Sequence, residues 1–281
     1  MPAIYTHKRF GELVFRQLPE YCRKTINCNT ELYVIGNHGP DILFYHKALR
    51  GSNISRLGYI LHGRRGRDVL SGFKYAILRS IDRRSMMSYA MGFVCHYVLD
   101  KELHPYVKKL EQVTGYSHST IETELDRYIL ERDGVWNPVK EKLTGHLKER
   151  SLDDDLMIAR YYDGVEEKDI RRTLKSMIRY NNLLRCPNPI KRGIVYGVLK
   201  LIGQYKSKGG LVMRYKPIEE LQPDIEAMAK ILDEAVAKAV ECVESFYAFT
   251  YEQTELSREF SENFEGSFEK MKAIEVLCAK K

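Results

Sequence analysis

Apolar residues recur at helical spacing through almost the whole chain, and nothing alternates with a convincing period of two. The pattern predicts helices over His7–Leu18, ended by Pro19, and over Glu20–Ile26. A cap at Asn29 or Thr30 opens a further turn through Leu32, Tyr33 and Ile35. Helical periodicity returns over Ile54–His62, Val69–Ile81 and Ser85–His104, then over Ser119–Arg132. Gly134 and Pro138 mark a break before a helix predicted at Val139–Lys148. Others follow at Asp154–Tyr162, Glu166–Leu184, Ile190–Tyr205, Pro223–Tyr247 and Thr254–Cys278. The expected fold class is all-α, a multi-helix bundle. Residues 1–150 read as a metal-binding helical core, and 151–281 as C-terminal helices packing on it within the same domain.

Two of these helices carry polar groups where a buried face should be apolar. His96, Asp100 and His104 stand at i, i+4 and i+8, one stripe of a helix that drifts roughly 40° per step. Phe93, Val94, Tyr97 and Val98 surround them, so the stripe is embedded in an apolar segment. His118, Glu122 and Asp126 repeat the spacing on the next helix. A lone histidine on a helix is ordinarily a satisfied core or surface residue. Six such groups in two consecutive ladders point instead to a metal, because buried imidazoles and carboxylates need partners. Imidazole with carboxylate is a ligand set that suits zinc.

Composition sets the surroundings of that chemistry. The chain has 281 residues, 44% hydrophobic and 30% charged, as in a soluble globular protein. The opening Met1-Pro2-Ala3 lacks the features of a secretory signal, and no run of eighteen apolar residues occurs. Six cysteines without a CxxC pair read as free thiols, so the expected address is the cytoplasm. The net charge of +7 is unevenly placed. Residues 170–218 hold twelve Arg and Lys and no acid, whereas 219–281 hold fifteen acids against seven bases. Such asymmetry speaks of partners.

In chain order stand His7, Asp41 within Gly39-Pro40-Asp41, His62, His96 with Asp100, His104, and His118 with Glu122. This series resembles the zinc-dependent phospholipase C family, whose fold is shared by single-strand-specific zinc nucleases, over roughly residues 1–126. The resemblance implies a helical bundle holding two or three zinc ions. One would take Asp41, His62, His96 and Asp100. A second would take His104, His118 and Glu122, and a third His7 with a shared Asp100. His38, His46 and His146 match no ligand position. The implied activity is hydrolysis of a phosphodiester, in a phospholipid or a related substrate. Water acidified by zinc would attack phosphorus, with Asp41 as ligand and proton acceptor. Arg64, Arg65 and Arg67, just after His62, are candidates for holding the phosphate, although a solvated loop explains them more simply.

Two other functions fit the same residues. A nuclease or nucleotide phosphodiesterase on the same metal frame would use the basic 170–218 region against a polyphosphate backbone, but only Tyr180, Tyr196, Tyr205 and Tyr215 are there to stack on bases. A scaffold would hold its zinc in closed coordination, without chemistry. Lipid ranks ahead of nucleic acid as the partner of 170–218. Pro189 to Lys208 mixes apolar and basic residues as interfacial helices do. The expected location is cytoplasmic, with peripheral contact to an anionic membrane. The competing reading is a core helix whose basic face is neutralised by the acidic C-terminal helices.

Overall fold

In the computed structural model, which describes residues 3–147 and 151–277, the chain winds into helices α1 (Ile4–Gln17), α2 (Glu20–Asn27), α3 (Thr30–Gly36), α4 (Asn53–Gly63) and α5 (Gly66–Leu78). The long α6 (Arg83–Thr114), α7 (His118–Arg132), α8 (Leu152–Ala159), α9 (Glu167–Leu184) and α10 (Pro189–Leu201) follow. The short α11 (Tyr205–Lys208), the long α12 (Gln222–Tyr251) and α13 (Phe268–Ala273) complete the bundle. Among the described residues there is no strand, only an isolated bridge between Arg65 and Asn263. The fold is all-α.

Helix α6 is the axis. It is buried on all sides from Ser85 to Val107, the condition of a helix inside a large core rather than on its surface. Its neighbour α3 approaches backbone to backbone. A Cβ on Gly92 would stand 2.2 Å from the Tyr33 carbonyl oxygen, and one on Gly36 would stand 2.2 Å from that of Tyr89. Only glycine permits that crossing. Tyr89 and Tyr162 share a hydroxyl hydrogen bond of 2.6 Å, which ties α6 to the turn after α8. One continuous apolar cluster joins both halves of the chain, from Phe10 and Val14 through Phe93 and Val98 to Ile225, Val236 and Phe246.

Three boundaries differ from the periodicity. Helix α6 runs on through Pro105 to Thr114 rather than stopping at His104. Proline removes the amide that would bond the Lys101 carbonyl, and the chain at Gly266 packs over that carbonyl and the Pro105 ring. The expected helix Val139–Lys148 is a single 3-10 turn, Pro138–Lys140, followed by irregular chain, with Lys148 outside the described residues. The Lys140 carbonyl accepts from the Arg185 guanidinium at 2.9 Å, so this segment is held by tertiary contacts. The expected helix Thr254–Cys278 is likewise replaced by a 3-10 turn, Arg258–Ser261, and the short α13. There the chain turns inward and buries Phe260, within the turn, and Phe264, beyond it, completely. Cys22, Cys28, Cys95, Cys186 and Cys242 are free, and Cys278 lies outside the described residues.

Candidate metal centre

The eight residues of the motif series come together at one place, brought there by five elements. The stripe of α6 supplies His96, Asp100 and His104; α7 supplies His118 and Glu122; α1 supplies His7; α4 supplies His62. Asp41 comes from the 3-10 turn Gly39–Tyr45. That turn is forced against α6: Gly39 has φ +49, and a Cβ there would stand 2.2 Å from the His96 ring. The glycine of Gly39-Pro40-Asp41 therefore lets Asp41 approach His96.

Asp100 is the hub. Its Oδ1 faces His7 Nε2 at 3.3 Å and His104 Nε2 at 3.8 Å. Its Oδ2 faces His96 Nε2 at 3.2 Å and His62 Nε2 at 3.6 Å. Asp41 Oδ1 lies 3.1 Å from His62 Nε2. Glu122 Oε1 lies 3.3 Å from His118 Nε2 and 3.8 Å from His104 Nε2. Three groups have ligand atoms mutually within 4.8 Å: His7, His96 and Asp100; Asp41, His62 and His96; His104, His118 and Glu122. His96 thus belongs to two groups, and Asp100 bridges between them.

The donor set fits zinc. Two ligands about 2.0–2.1 Å from one tetrahedral ion sit roughly 3.3 Å apart, within the 3.1–3.8 Å span of the imidazole–carboxylate separations. His96 is fully buried, yet its Nδ1 has no hydrogen-bond partner among the described residues and its Nε2 faces only the Asp100 carboxylate, without hydrogen-bond geometry. Leaving such a group unsatisfied costs about 1–3 kcal/mol, and a shared cation removes that cost. Two other imidazoles are oriented from behind. His62 Nδ1 bonds the Gly58 carbonyl oxygen at 2.7 Å, and His104 Nδ1 bonds that of Phe264 at 3.0 Å. Those bonds leave Nε2 as the nitrogen free to coordinate a metal.

Electrostatics favour positive charge at the centre. Burial works to raise the Asp100 carboxyl, but the His104 and His96 imidazoles and hydrogen bonds from His62 and His7 hold it well below the usual range. Burial works to lower His62, yet hydrogen bonds to Asp100 and Asp41 carry it up to about 10. His104 rises to about 9: burial opposes the shift, and Asp100 and Glu122 drive it. This is the field of a cation-binding cage.

The chain belongs to the zinc-dependent phospholipase C family. The model of that family, described as zinc dependent phospholipase C, matches residues 6–182. No curated protein and no solved structure matches the chain. The family match runs from Thr6, just before His7, through all eight motif residues, so the three groups could hold the metal of a zinc-dependent family.

The centre opens onto a cleft of about 590 Å³, whose lining includes Asp41, His62, His104, His118, Lys206 and Lys208. His118 is the least covered of the eight, with its side chain 34% exposed. Arg64, Arg65 and Arg67 are exposed, and none of them lines the cleft. Lys206 and Lys208 stand there instead, from a segment that sequence reasoning assigned to a membrane. Asp126 is not drawn into the cluster either. Its carboxylate accepts from Thr6 N at 2.8 Å, Thr6 Oγ1 at 2.7 Å and Tyr5 N at 3.3 Å. The two amides are free N–H groups of the first turn of α1, so Asp126 caps the helix that carries His7. Burial pushes its carboxyl up to about 6, against those three donors.

The remaining histidines take other partners. His38 Nε2 and His146 Nε2 lie 2.8 Å apart, and His46 Nδ1 lies 2.7 Å from Ser52 Oγ at the cap of α4. Of the supporting groups, Gly58 was accessible from sequence, four residues before His62. Phe264 was not, because it arrives from a segment 160 residues beyond His104.

Proposed function

We propose that the chain is a zinc-dependent hydrolase of a phosphodiester bond in a phospholipid, holding two or three zinc ions. The observation that carries this reading is Asp100, one buried carboxylate facing four imidazoles at the floor of an open cleft. A closed structural site would have no cleft above it. His7, Asp41, His62, His96, Asp100, His104, His118 and Glu122 would hold the metal. Bound zinc supplies Lewis acidity toward a phosphoryl oxygen and acidifies water.

The chain's own residues do the rest. Lys206 and Lys208 on the cleft wall bind and orient the phosphate. Neither makes an ion pair with an acid among the described residues, so both are available to an anion. Asp41, whose carboxyl faces the cleft, accepts the proton that the attacking water releases. Ser117 and Ser119 line the same wall and offer hydroxyl donors to phosphate oxygens. Phe44 and Tyr59, with ring centroids 4.4 Å apart, form an apolar wall that limits water at the site.

The test is hydrolysis by zinc-loaded protein of phospholipid vesicles, p-nitrophenyl phosphocholine and single-stranded DNA. Phospholipid cleavage that stops with chelator is the expected result. DNA cleaved in preference to lipid would make the chain a nuclease on the same frame. Inertness toward all three, with zinc bound, would make it a scaffold.

A further inference from the structure

Beside the metal cleft lies a second cavity, of about 210 Å³, between the main core and α10. Its walls are mostly aliphatic, with Ile4 from α1, Leu184 from α9, and Val195, Val198 and Leu199 from α10, and polar groups enter only at places such as Asp126 and Asn181. An apolar cavity of roughly 150 Å³ is already large enough to stay dry and take up benzene, so this one accommodates several methylenes. Lys208 and Leu211 line both this cavity and the metal cleft, so the two spaces share a wall. At that junction the half-buried Lys208 ammonium makes no ion pair with an acid among the described residues.

The outer mouth is also apolar. Ile194 and Val198 on α10 and Ile202 at its C-cap succeed one another at four-residue spacing and are 63%, 51% and 45% exposed. Helix α10 is held by its own small cluster, Cys186, Val195, Leu199 and Val212, separate from the main core. A solvated aliphatic stripe beside an unfilled apolar space is unfavourable in proportion to the apolar area left in water. Something apolar and chain-shaped relieves it.

We propose that this cavity takes one acyl chain of the lipid whose phosphate occupies the metal cleft, with Lys208 at the turning point between chain and phosphate. The proposal rests on the lipid reading above and adds an acyl-chain site to it. The cleft supplies an anion site and the cavity an apolar one, and a lipid phosphodiester joins those two chemistries in one molecule. A nucleic acid has no apolar chain to place there.

The test separates chain binding from catalysis. Titration with cis-parinaric acid, a fluorescent fatty acid, should show saturable binding of one molecule per zinc-loaded chain. Leu184→Trp fills the cavity from inside, and Val198→Glu puts a charge at its mouth on an exposed position. Each should weaken parinarate at least tenfold, with helical content by circular dichroism unchanged. In activity, Leu184→Trp should slow cleavage of a dodecyl phosphodiester at least tenfold while p-nitrophenyl phosphocholine, which has no acyl chain, is cleaved as before. Parinarate binding lost in both folded variants supports the cavity even if no diester is hydrolysed, in which case it is the hydrolase reading that fails. Parinarate bound equally by wild type and both variants, or not at all, overturns the acyl site while leaving the hydrolase reading intact. If Leu184→Trp loses its helical signal, Val198→Glu alone decides by the same criterion.

Discussion

Helices α6 and α10 are both amphipathic by sequence, and the structure uses them in opposite ways. In α6 the polar stripe is buried, and in α10 part of the apolar stripe is exposed. His96, Asp100 and His104 point into a core where unpaired polar groups are costly, so their chemistry is fixed by one another. Ile194, Val198 and Leu201 point into water, where they gain nothing unless something covers them. The comparison teaches that function in this chain lies where burial and polarity disagree. One disagreement marks a buried cluster that could hold metal inside the bundle, and the other marks an apolar surface beside it.

The comparison breaks most severely if its buried side is emptied. Asp100→Ala removes the one carboxylate that four imidazoles share. Removing one partner from a buried charged set costs about 3–5 kcal/mol, and lost metal adds to that. Metal analysis should show fewer zinc ions per chain than in wild type. Thermal unfolding should shift down and cease to respond to chelator. A variant that retains its zinc and its midpoint would remove Asp100 from the centre.

Glu122→Gln is gentler, since the amide keeps its shape and one oxygen. With the charge gone from a group that faces His104 and His118, activity should fall about 100-fold, the upper end for altered metal shells. Arg67→Ala is the matched control, because Arg67 is exposed and off the cleft; its kcat/KM should stay within about twofold. An equal loss in the two variants would mean that the arginines after His62 hold substrate after all.

How much of this could be read beforehand depends on where each signal sits along the chain. The ladders on α6 and α7 were legible because both ends of each interaction lie four residues apart, a spacing that helical geometry fixes. Helix content was legible from periodicity for the same reason. The Thr254–Cys278 segment was misread because its periodic apolar residues belong to a turn that drives Phe260 and Phe264 inward, and tertiary burial outweighed helix propensity. Asp126 was grouped with His118 and Glu122 by spacing alone. One further turn of α7 carries it to the end of α1, and only the packing of those two helices shows that. The lysines of the cleft were invisible as site residues because they come from a distant basic stretch.

Asp126→Ala tests that capping role at smaller cost. Losing a helix cap is worth about 0.5–2 kcal/mol, and the looser first turn of α1 should weaken zinc at the His7 group before the others. The pH dependence has a definite sign. A carboxyl held at about 6 when folded, against roughly 3.9 when unfolded, binds more protons in the folded state between those values. Wild-type stability should therefore fall as pH rises from about 4 to about 6 and level off above. The Ala variant should lack this fall. Parallel pH profiles for the two proteins would show that Asp126 is ionised throughout.

The exposed side of the comparison yields the smallest effect, on a lipid surface. The expectation that the acidic C-terminal helices neutralise 170–218 finds no support in the ion pairs: among the described residues none joins the two stretches. Arg171 pairs with Asp155 and Arg172 with Asp169, while on α12 Asp233 pairs with Arg132. Not every basic residue is free, however. Lys191 donates to the Asn182 and Arg185 carbonyls, and Arg192 donates to those of Cys186 and Met213. Reversing those two would undock α10 and mimic a loss of lipid binding. Lys175, Arg179 and Lys200 are exposed and make no such bonds, so they are the residues to change. A base near an anionic membrane contributes about 1 kcal/mol, roughly fivefold in partitioning. Each single change to Glu should lower sedimentation with anionic vesicles by at least that factor. Binding of wild type should rise with anionic lipid content and weaken with salt. Equal sedimentation with neutral and anionic vesicles would assign the surface to its aliphatic stripe, and none with either would leave α10 as the wall of an internal cavity alone.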